Sequence, residues 1–295
     1  MLRKASERKI DVIPLSLCRY FIAFLRSDSA AMESEMTYRK AKFEAQGRFE
    51  YQEALTLAYQ GRLKEAAPLC DRAVMLARQG NFLEQAAMFQ GAHAVWNALF
   101  GFREQAQANG AAALSLYRGR DADYGPAFAL ALLHNSAQAH ELEADLEKMY
   151  PDYTSVQFSY LPVLRALEAL NHGDPMKALE MTQAAAPYEL AVPGIAFYSS
   201  AFFGALYPVY VRGLAYSRMG RHSEAAAEFQ KILDHPGITL TDPIGPIARL
   251  QLARALSASG DRARSAAAYK ELLMLWKDAD PDIPVTREAR AESTR

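Results

Sequence analysis

The chain has 295 residues, of which 51% are hydrophobic and 23% charged, and this composition supports a large buried core and excludes general disorder. Its 33 basic and 34 acidic side chains give a formal net charge of −1, so we expect no nucleic-acid partner. Cys18 and Cys70 lie far apart on apolar sides of helical stretches, which favours two buried thiols over a disulfide.

Three segments are predicted along the chain. A charged leader covers residues 1–13, a helical repeat domain covers residues 14–277, and a polar tail covers residues 278–295. The apolar run that begins at Val12 is broken by Pro14, so it does not have the form of a secretory signal.

Pairs of predicted helices, most of them separated by a glycine, recur along the repeat domain. The opening pair covers residues 14–27 and 29–45. In Glu53–Leu76 the recurring small residues and the turn glycine are Ala54, Gly61, Ala66 and Ala73. The next copies carry Ala94, Gly101, Ala106 and Ala113, then Ala127, Ala139, Leu146 and Pro151 without a turn glycine, then Ala166, Gly173 and Ala178.

The clearest copies are the last two. In Tyr210–Leu233 small and large apolar residues recur at helical spacing on both sides of Gly220: Gly213 and Tyr216 before it, and Ala225, Phe229 and Ile232 after it. The final copy has the same order in Leu252, Ala253, Gly260, Tyr269 and Leu272. Each glycine is expected to adopt a left-handed backbone that ends the first helix of its pair.

This pattern resembles the tetratricopeptide (TPR) repeat, although the turn glycines are about 40 residues apart, more than the ideal 34. The resemblance implies an all-α, right-handed α–α solenoid of about seven helical hairpins. Small side chains let paired helices approach, and a large side chain one turn away packs against the next pair.

A narrower resemblance is carried by Tyr207–Tyr216, Glu228–Ile238 and Leu275–Pro284. These segments look like the C-terminal repeat region of bacterial eukaryotic-like serine/threonine kinases and related regulators, especially acidobacterial ones. In that family a kinase or DNA-binding domain precedes the repeats. The resemblance therefore implies a sensory or scaffold part without the catalytic part, and the abrupt start of the chain suits a fragment of something longer.

No enzyme is predicted, because no glycine-rich phosphate loop, strand lysine and catalytic-loop aspartate assemble in the sequence. Asp123, Tyr124 and Gly125 imitate the magnesium-binding motif of kinases. We interpret them as a turn that opens a helix at Pro126. No nucleophile, base and orienting group lie at a recognisable spacing, and no cofactor is predicted.

Metal ligation is conceivable at His134, His140 and Glu141, which are close in sequence. The spacing of six between the histidines does not place both on one helical face, so solvated or capping roles are favoured. The acidic run Glu141, Glu143, Asp145 and Glu147 is interpreted as the solvated face of a helix.

The uncharged stretch Leu190–Val211 has the length of a membrane span. Pro193, Gly194 and Pro208 interrupt it, so a helix buried in the solenoid is favoured and no membrane span is predicted. A different hypothesis makes the chain a small-ligand sensory module, in which residues 195–211 line a closed pocket.

A concave groove lined by the first helix of each pair is the predicted partner site, and its expected occupant is a protein or peptide segment. The residues placed there are Arg48, Tyr51, Tyr124, Phe128, Tyr160, Tyr207, Tyr210 and Arg254, of residue types that protein interfaces favour. The alternative, that these rings pack against the adjoining helix, stays open.

Self-association through an uncapped end is a further alternative, although the polar tail suits a cap. The expected compartment is the cytoplasm, or the extracytoplasmic side if the chain belongs to a membrane-anchored kinase.

Overall fold

The computed structural model describes residues 12–40, 47–191 and 206–294, and every regular element in them is helical. The helices are α1 Ile13–Leu25, α2 Ser29–Lys40, α3 Arg48–Tyr59, α4 Leu63–Gln79, α5 Leu83–Phe100, α6 Arg103–Leu116, α7 Arg120–Leu132, α8 Ser136–Met149, α9 Leu161–Asn171, α10 Pro175–Gln183, α11 Tyr207–Arg218, α12 His222–Leu233, α13 Pro236–Thr239, α14 Ile244–Ala258, α15 Arg262–Leu275 and α16 Pro284–Glu292. A single π-helical turn, Val156–Tyr160, leads into α9.

Seven antiparallel hairpins account for most of these helices in the described part of the chain: α1–α2, α3–α4, α5–α6, α7–α8, α9–α10, α11–α12 and α14–α15. Each hairpin packs on the next, so the prediction of an all-α solenoid of TPR-like hairpins is confirmed. Most apolar surface of each hairpin is buried against the hairpins next to it in the chain.

The turn glycines have the predicted backbone. Gly61, Gly101, Gly173, Gly220 and Gly260 all have positive φ, between 72° and 91°. In the fourth hairpin, where the glycine is missing, His134 adopts the left-handed conformation with φ of 60°. A non-glycine residue there carries a strain that glycine avoids.

Small residues set the distance between helices. A Cβ atom on Gly213 of α11 would lie 2.6 Å from Cε1 of Phe229 on α12, so the ring fills the space that the glycine leaves. Gly125 of α7 also approaches the backbone of Gly91 on α5, with a Cβ on Gly125 3.2 Å from the Gly91 carbonyl carbon. Helix α5 is consequently buried on nearly all sides, between α4, α6, α7 and α16.

The interpretation of Asp123, Tyr124 and Gly125 as a turn is wrong, because all three lie inside α7, which begins at Arg120. Gly125 serves the close packing of α5 and α7. Asp123 is buried and accepts from Nε of Arg118 at 3.0 Å and from the backbone N–H of Gly119 at 3.2 Å, so it stabilises the first turn of α7.

The last hairpin meets the second one. The backbone N–H of Asp280 donates to the Gly61 carbonyl at 2.9 Å, and Oδ2 of Asp280 accepts from the N–H of Lys64 at 2.8 Å, in the first turn of α4. Nearby, Nε2 of Gln52 donates to Oγ1 of Thr241 at 2.6 Å. We call the contact of Tyr59–Lys64 with Trp276–Asp282 the clasp; it closes the array on itself.

The predicted polar tail contains helix α16, which packs against α5 and α15. Ile283, Thr286 and Ala289 are buried, and Glu288 and Glu292 pair with Arg254 of α14. A Cβ on Gly101 would lie 3.1 Å from Cβ of Pro284, so the fold includes this segment in its core.

None of the helices in the described ranges is long and apolar enough to cross a bilayer. Residues 192–205, which carry most of the uncharged stretch and of the hypothetical small-ligand pocket, lie outside the described residues. Cys70 is buried and Cys18 is partly buried, and both thiols are free.

Candidate functional site

The six aromatic residues predicted to line an open groove are buried. Tyr51, Tyr124, Phe128, Tyr160, Tyr207 and Tyr210 each expose 3% of their surface or less. The expectation that these rings form an accessible wall of the groove is therefore wrong. The rings fill the space between adjoining helices, as the alternative in the sequence analysis had it. Their role in partner binding stays a prediction.

Four of these rings form one cluster. Tyr124 stacks on Tyr160 with ring centroids 3.8 Å apart and planes inclined by 8°, and Phe128 packs edge-on against Tyr207 at 4.8 Å. Tyr124 and Phe128 lie one turn apart on α7, with centroids 6.4 Å apart. The cluster thus joins α7, the π-helical turn and α11 into a single core.

Tyr51 and Tyr210 lie apart from that cluster. Tyr51 stacks on Phe89 of α5 at 4.3 Å, and Tyr210 packs against Phe229 of α12 at 5.9 Å. Both rings contribute to the packing between helices.

Two carboxylates accept hydrogen bonds from the cluster. The hydroxyl of Tyr160 donates to Oδ1 of Asp121 at 2.9 Å, and the hydroxyl of Tyr207 donates to Oδ1 of Asp242 at 3.0 Å. Removal from water raises the pKa of Asp242 to about 6 and raises the pKa of Tyr207 well above its usual value. The two carboxylates therefore satisfy buried tyrosine hydroxyls.

The two predicted arginines have different surroundings. Nη2 of Arg48 donates to Oε1 of Gln85 at 3.4 Å. Arg254 pairs with Glu288 at 2.8 Å and with Glu292, also at 2.8 Å, both on α16. Arg254 therefore attaches the C-terminal helix to α14, and its charge is already neutralised.

One accessible concave surface of the described residues is a groove across α8, α9, α10 and α11. It has two cavities, of about 560 and 570 Å³, which share Asp174 and Lys177. The first also contacts Glu143, Arg165, Glu168, Ala169, His172 and Met181; the second also contacts Met176, Leu179, Glu180, Gln183, Arg212, Tyr216 and Arg221. We call the two together the surface groove.

Ion pairs fix the walls of the surface groove. Arg165 of α9 pairs with Glu143 at 2.9 Å and with Glu147 at 2.7 Å, both on α8. Arg212 of α11 pairs with Glu189 at 2.9 Å and with Glu228 at 2.6 Å. Because each arginine is held by two carboxylates, the walls are rigid and the arginine charges are largely neutralised.

Lys177 differs from these arginines. It lies where the two cavities meet, and its ammonium forms no ion pair with the residues that the structure describes. Next to it Met176 is 61% exposed, and Leu179 contributes to the floor of the second cavity. The groove therefore presents an apolar spot beside an unneutralised cation.

The three residues considered for metal ligation in the sequence, where solvated or capping roles were favoured, do not come together in space. His140 lies with Glu143 and Glu168, while neither His134 nor Glu141 belongs to this group. The acidic run is also more than a solvated face, because Glu143 is buried and burial raises its pKa.

No protein-family model matches the chain, and no curated protein matches its sequence. Among solved structures, the chain is similar to yeast Tom70, at 14% identity and a TM-score of 0.47, over 90% of this chain and 60% of that one. It is also similar to the TPR domain of P58(IPK), at 14% identity and a TM-score of 0.31, over 100% of this chain and 91% of that one. At these scores the likeness carries no argument about function, and the helices themselves establish the fold.

The surface groove was not predicted from the sequence, because many of its residues are charged and they come from four different helices and their connections. The one signal available was an arginine in the first helix of a pair, as at Arg165 and Arg212, with glutamates on neighbouring helices. Such pairs are common on solvated helices, so the spacing alone does not identify a groove.

Proposed function

We propose that the chain is a non-catalytic scaffold that holds an extended segment of another protein in the surface groove. The observation that carries the proposal is the combination at the junction of the two cavities: exposed Met176 beside Lys177, between walls fixed by Arg165 and Arg212. Interfaces favour buried apolar anchors framed by polar groups.

The partner segment expected from this chemistry carries an acidic side chain next to an apolar one. The carboxylate pairs with the ammonium of Lys177, and the apolar side chain covers Met176 and Leu179. Cavities of about 560 and 570 Å³ hold a few side chains each, which suits an extended peptide.

Selection of peptides from a random library on the full chain tests the proposal. Selected peptides are expected to be acidic and apolar, and to lose at least about tenfold in affinity on Lys177→Glu or Met176→Glu, which is about 1.4 kcal/mol. Lys270→Glu, a charge reversal at an exposed lysine on α15, is the matched control and should leave the affinity unchanged. Peptides that bind all three variants alike, or a library that yields no binder, would refute the proposal.

We also propose that this scaffold is the regulatory part of a bacterial signalling protein located in the cytoplasm. The support is the resemblance of its C-terminal repeats to those of kinase-associated regulators. Sequencing the DNA around the coding region for a kinase or winged-helix domain tests it, and a neighbourhood without any signalling gene would count against it.

A further inference from the structure

Three metal-ligating side chains from two antiparallel helices converge beside the first cavity of the surface groove. His140 and Glu143 lie one turn apart on α8, and Glu168 lies on α9. One ligand atom from each falls within 4.8 Å of the others, and Nδ1 of His140 is 3.8 Å from Oε2 of Glu168. We propose that His140, Glu143 and Glu168 bind a divalent transition-metal ion, with zinc as the ion that their chemistry suits best.

The donor set is one imidazole and two carboxylates, which bind zinc at about 2.0 to 2.2 Å in tetrahedral geometry. Ligand atoms around such an ion lie closer together than 4.8 Å, so a small rotation of the side chains completes the site. Because all three donors are on packed helices, little backbone conformational entropy is lost on binding.

The burial of the donors leaves one side of the ion open. Glu143 is 6% exposed, whereas the side chain of Glu168 is 33% exposed and that of His140 is 64% exposed. Glu143 and Glu168 also line the first cavity. Three protein ligands and a fourth position open to water is the arrangement of zinc sites that accept an exogenous ligand.

The local charge favours a cation. The carboxylates of Glu143, Glu147 and Glu168 lie around the guanidinium of Arg165 or beside it, and Asp174 and Lys177, which also line the first cavity, add one charge of each sign. A neutral His140 adds no charge, so this group of side chains has a formal charge of −2, which a divalent ion neutralises. Arg165 remains paired with Glu147 at 2.7 Å while Glu143 turns one oxygen to the ion.

A structural ion-pair network without metal is the competing explanation. It predicts that Glu143 accepts a hydrogen bond only from Arg165, whose Nε lies 2.9 Å from Oε1 of Glu143, and that His140 is solvated. The two explanations differ in what zinc or cobalt does to the protein, and this difference does not depend on the proposed peptide binding.

Titration of the metal-free full chain with Zn²⁺ by calorimetry, and with Co²⁺ by visible absorption, tests the site. We expect one equivalent to bind, and we expect His140→Ala and Glu168→Gln each to weaken binding at least about tenfold. Glu141→Gln is the matched control, because this exposed residue is next to His140 in sequence and outside the group.

Zinc should also raise the melting temperature of the wild type and of Glu141→Gln, and leave that of His140→Ala unchanged. His140→Ala and Glu168→Gln leave the buried Glu143 unchanged, so both variants are expected to fold. The absence of binding would overturn the site. So would binding that survives in His140→Ala, which would mean that other histidines hold an adventitious ion only.

Discussion

The indole Nε1 of Trp276 donates a hydrogen bond to the main-chain carbonyl of Tyr59 at 3.1 Å, across 217 residues of sequence. The Trp276 ring is fully buried and also packs against Phe100, with centroids 5.6 Å apart. One side chain thereby joins the end of the seventh hairpin to the second and third hairpins. The closed form of the array depends on this contact and on the hydrogen bonds of Asp280.

Asp280→Ala should destabilise the protein by about 1 kcal/mol, because Oδ2 no longer accepts from the N–H of Lys64 at the start of α4. Urea unfolding followed by circular dichroism measures the change. Asp152→Ala is the control, since Asp152 is exposed and lies outside the clasp. Equal stability of the two variants would show that the clasp does not form in solution.

Gly213→Ala should cost about 1 to 3 kcal/mol, because the added methyl group would meet the Phe229 ring. Helix propensity alone predicts the opposite sign, a gain of up to about 1 kcal/mol. Gly237→Ala is the control, since a Cβ at Gly237 has no atom within 4 Å. A melting temperature that rises in Gly213→Ala would contradict the packing of α11 on α12.

His93 should make the protein less stable in acid. Burial lowers its pKa to about 4 from 6.5, so below pH 6.5 the unfolded chain binds a proton that the folded chain does not bind. The contribution of His93 to the free energy of unfolding should therefore fall between pH 6.5 and pH 4, by about 3 kcal/mol.

Replacement of the ring tests this effect. His93→Leu should remove this fall, so that the variant loses less stability toward pH 4 than the wild type, whereas His172→Leu, at an exposed position, should leave the pH dependence as in the wild type. Unfolding curves at half-unit pH intervals measure it. An unchanged slope in His93→Leu would show that the ring is not buried as described.

Asp242 should act in the opposite direction. Its pKa is raised from 3.8 to about 6, so between these values the folded chain keeps a proton that the unfolded chain has lost. Asp242 therefore contributes stability below pH 4, and this contribution is lost as the pH rises through 6. The loss in the free energy of unfolding is at most about 3 kcal/mol.

Asp242→Asn keeps an acceptor for the hydroxyl of Tyr207 and for the N–H of Ile244, 3.0 and 2.8 Å from Asp242 Oδ1, and it cannot ionise. We expect the variant to gain stability over the wild type at pH 7.5 and to gain less at pH 5. Asp152→Asn, at an exposed position, should change neither value. A loss of stability at pH 7.5 would mean that the ionised carboxylate is the favoured form.

The hairpins were predictable because their signals are local. Gly61 and Gly220 mark turns by their lack of Cβ, and Gly213 with Phe229 marks a helix contact by size. The position of the rings was not predictable, since Tyr51 and Tyr124 would lie on the same helical face whether that face is open or covered. That face is covered by helices from other parts of the chain, and the spacing of residues within one helix does not indicate such contacts.

The clasp and the metal-ligating group were missed for a related reason. Trp276 contacts Tyr59 across 217 residues, and Glu168 reaches His140 from another helix. The sequence offered His134 and Glu141 because they are close along the chain. Distance in sequence and distance in space differ most where separate helices pack together.

The most direct test of the closed array is the distance between spin labels on Glu65 and Lys277, two exposed positions on either side of the clasp, with Cys18 replaced by serine. The structure predicts one short, narrow distance that broadens in Asp280→Ala. A broad distribution centred at long distance in the parent chain, as in an open superhelix whose ends do not meet, would contradict it.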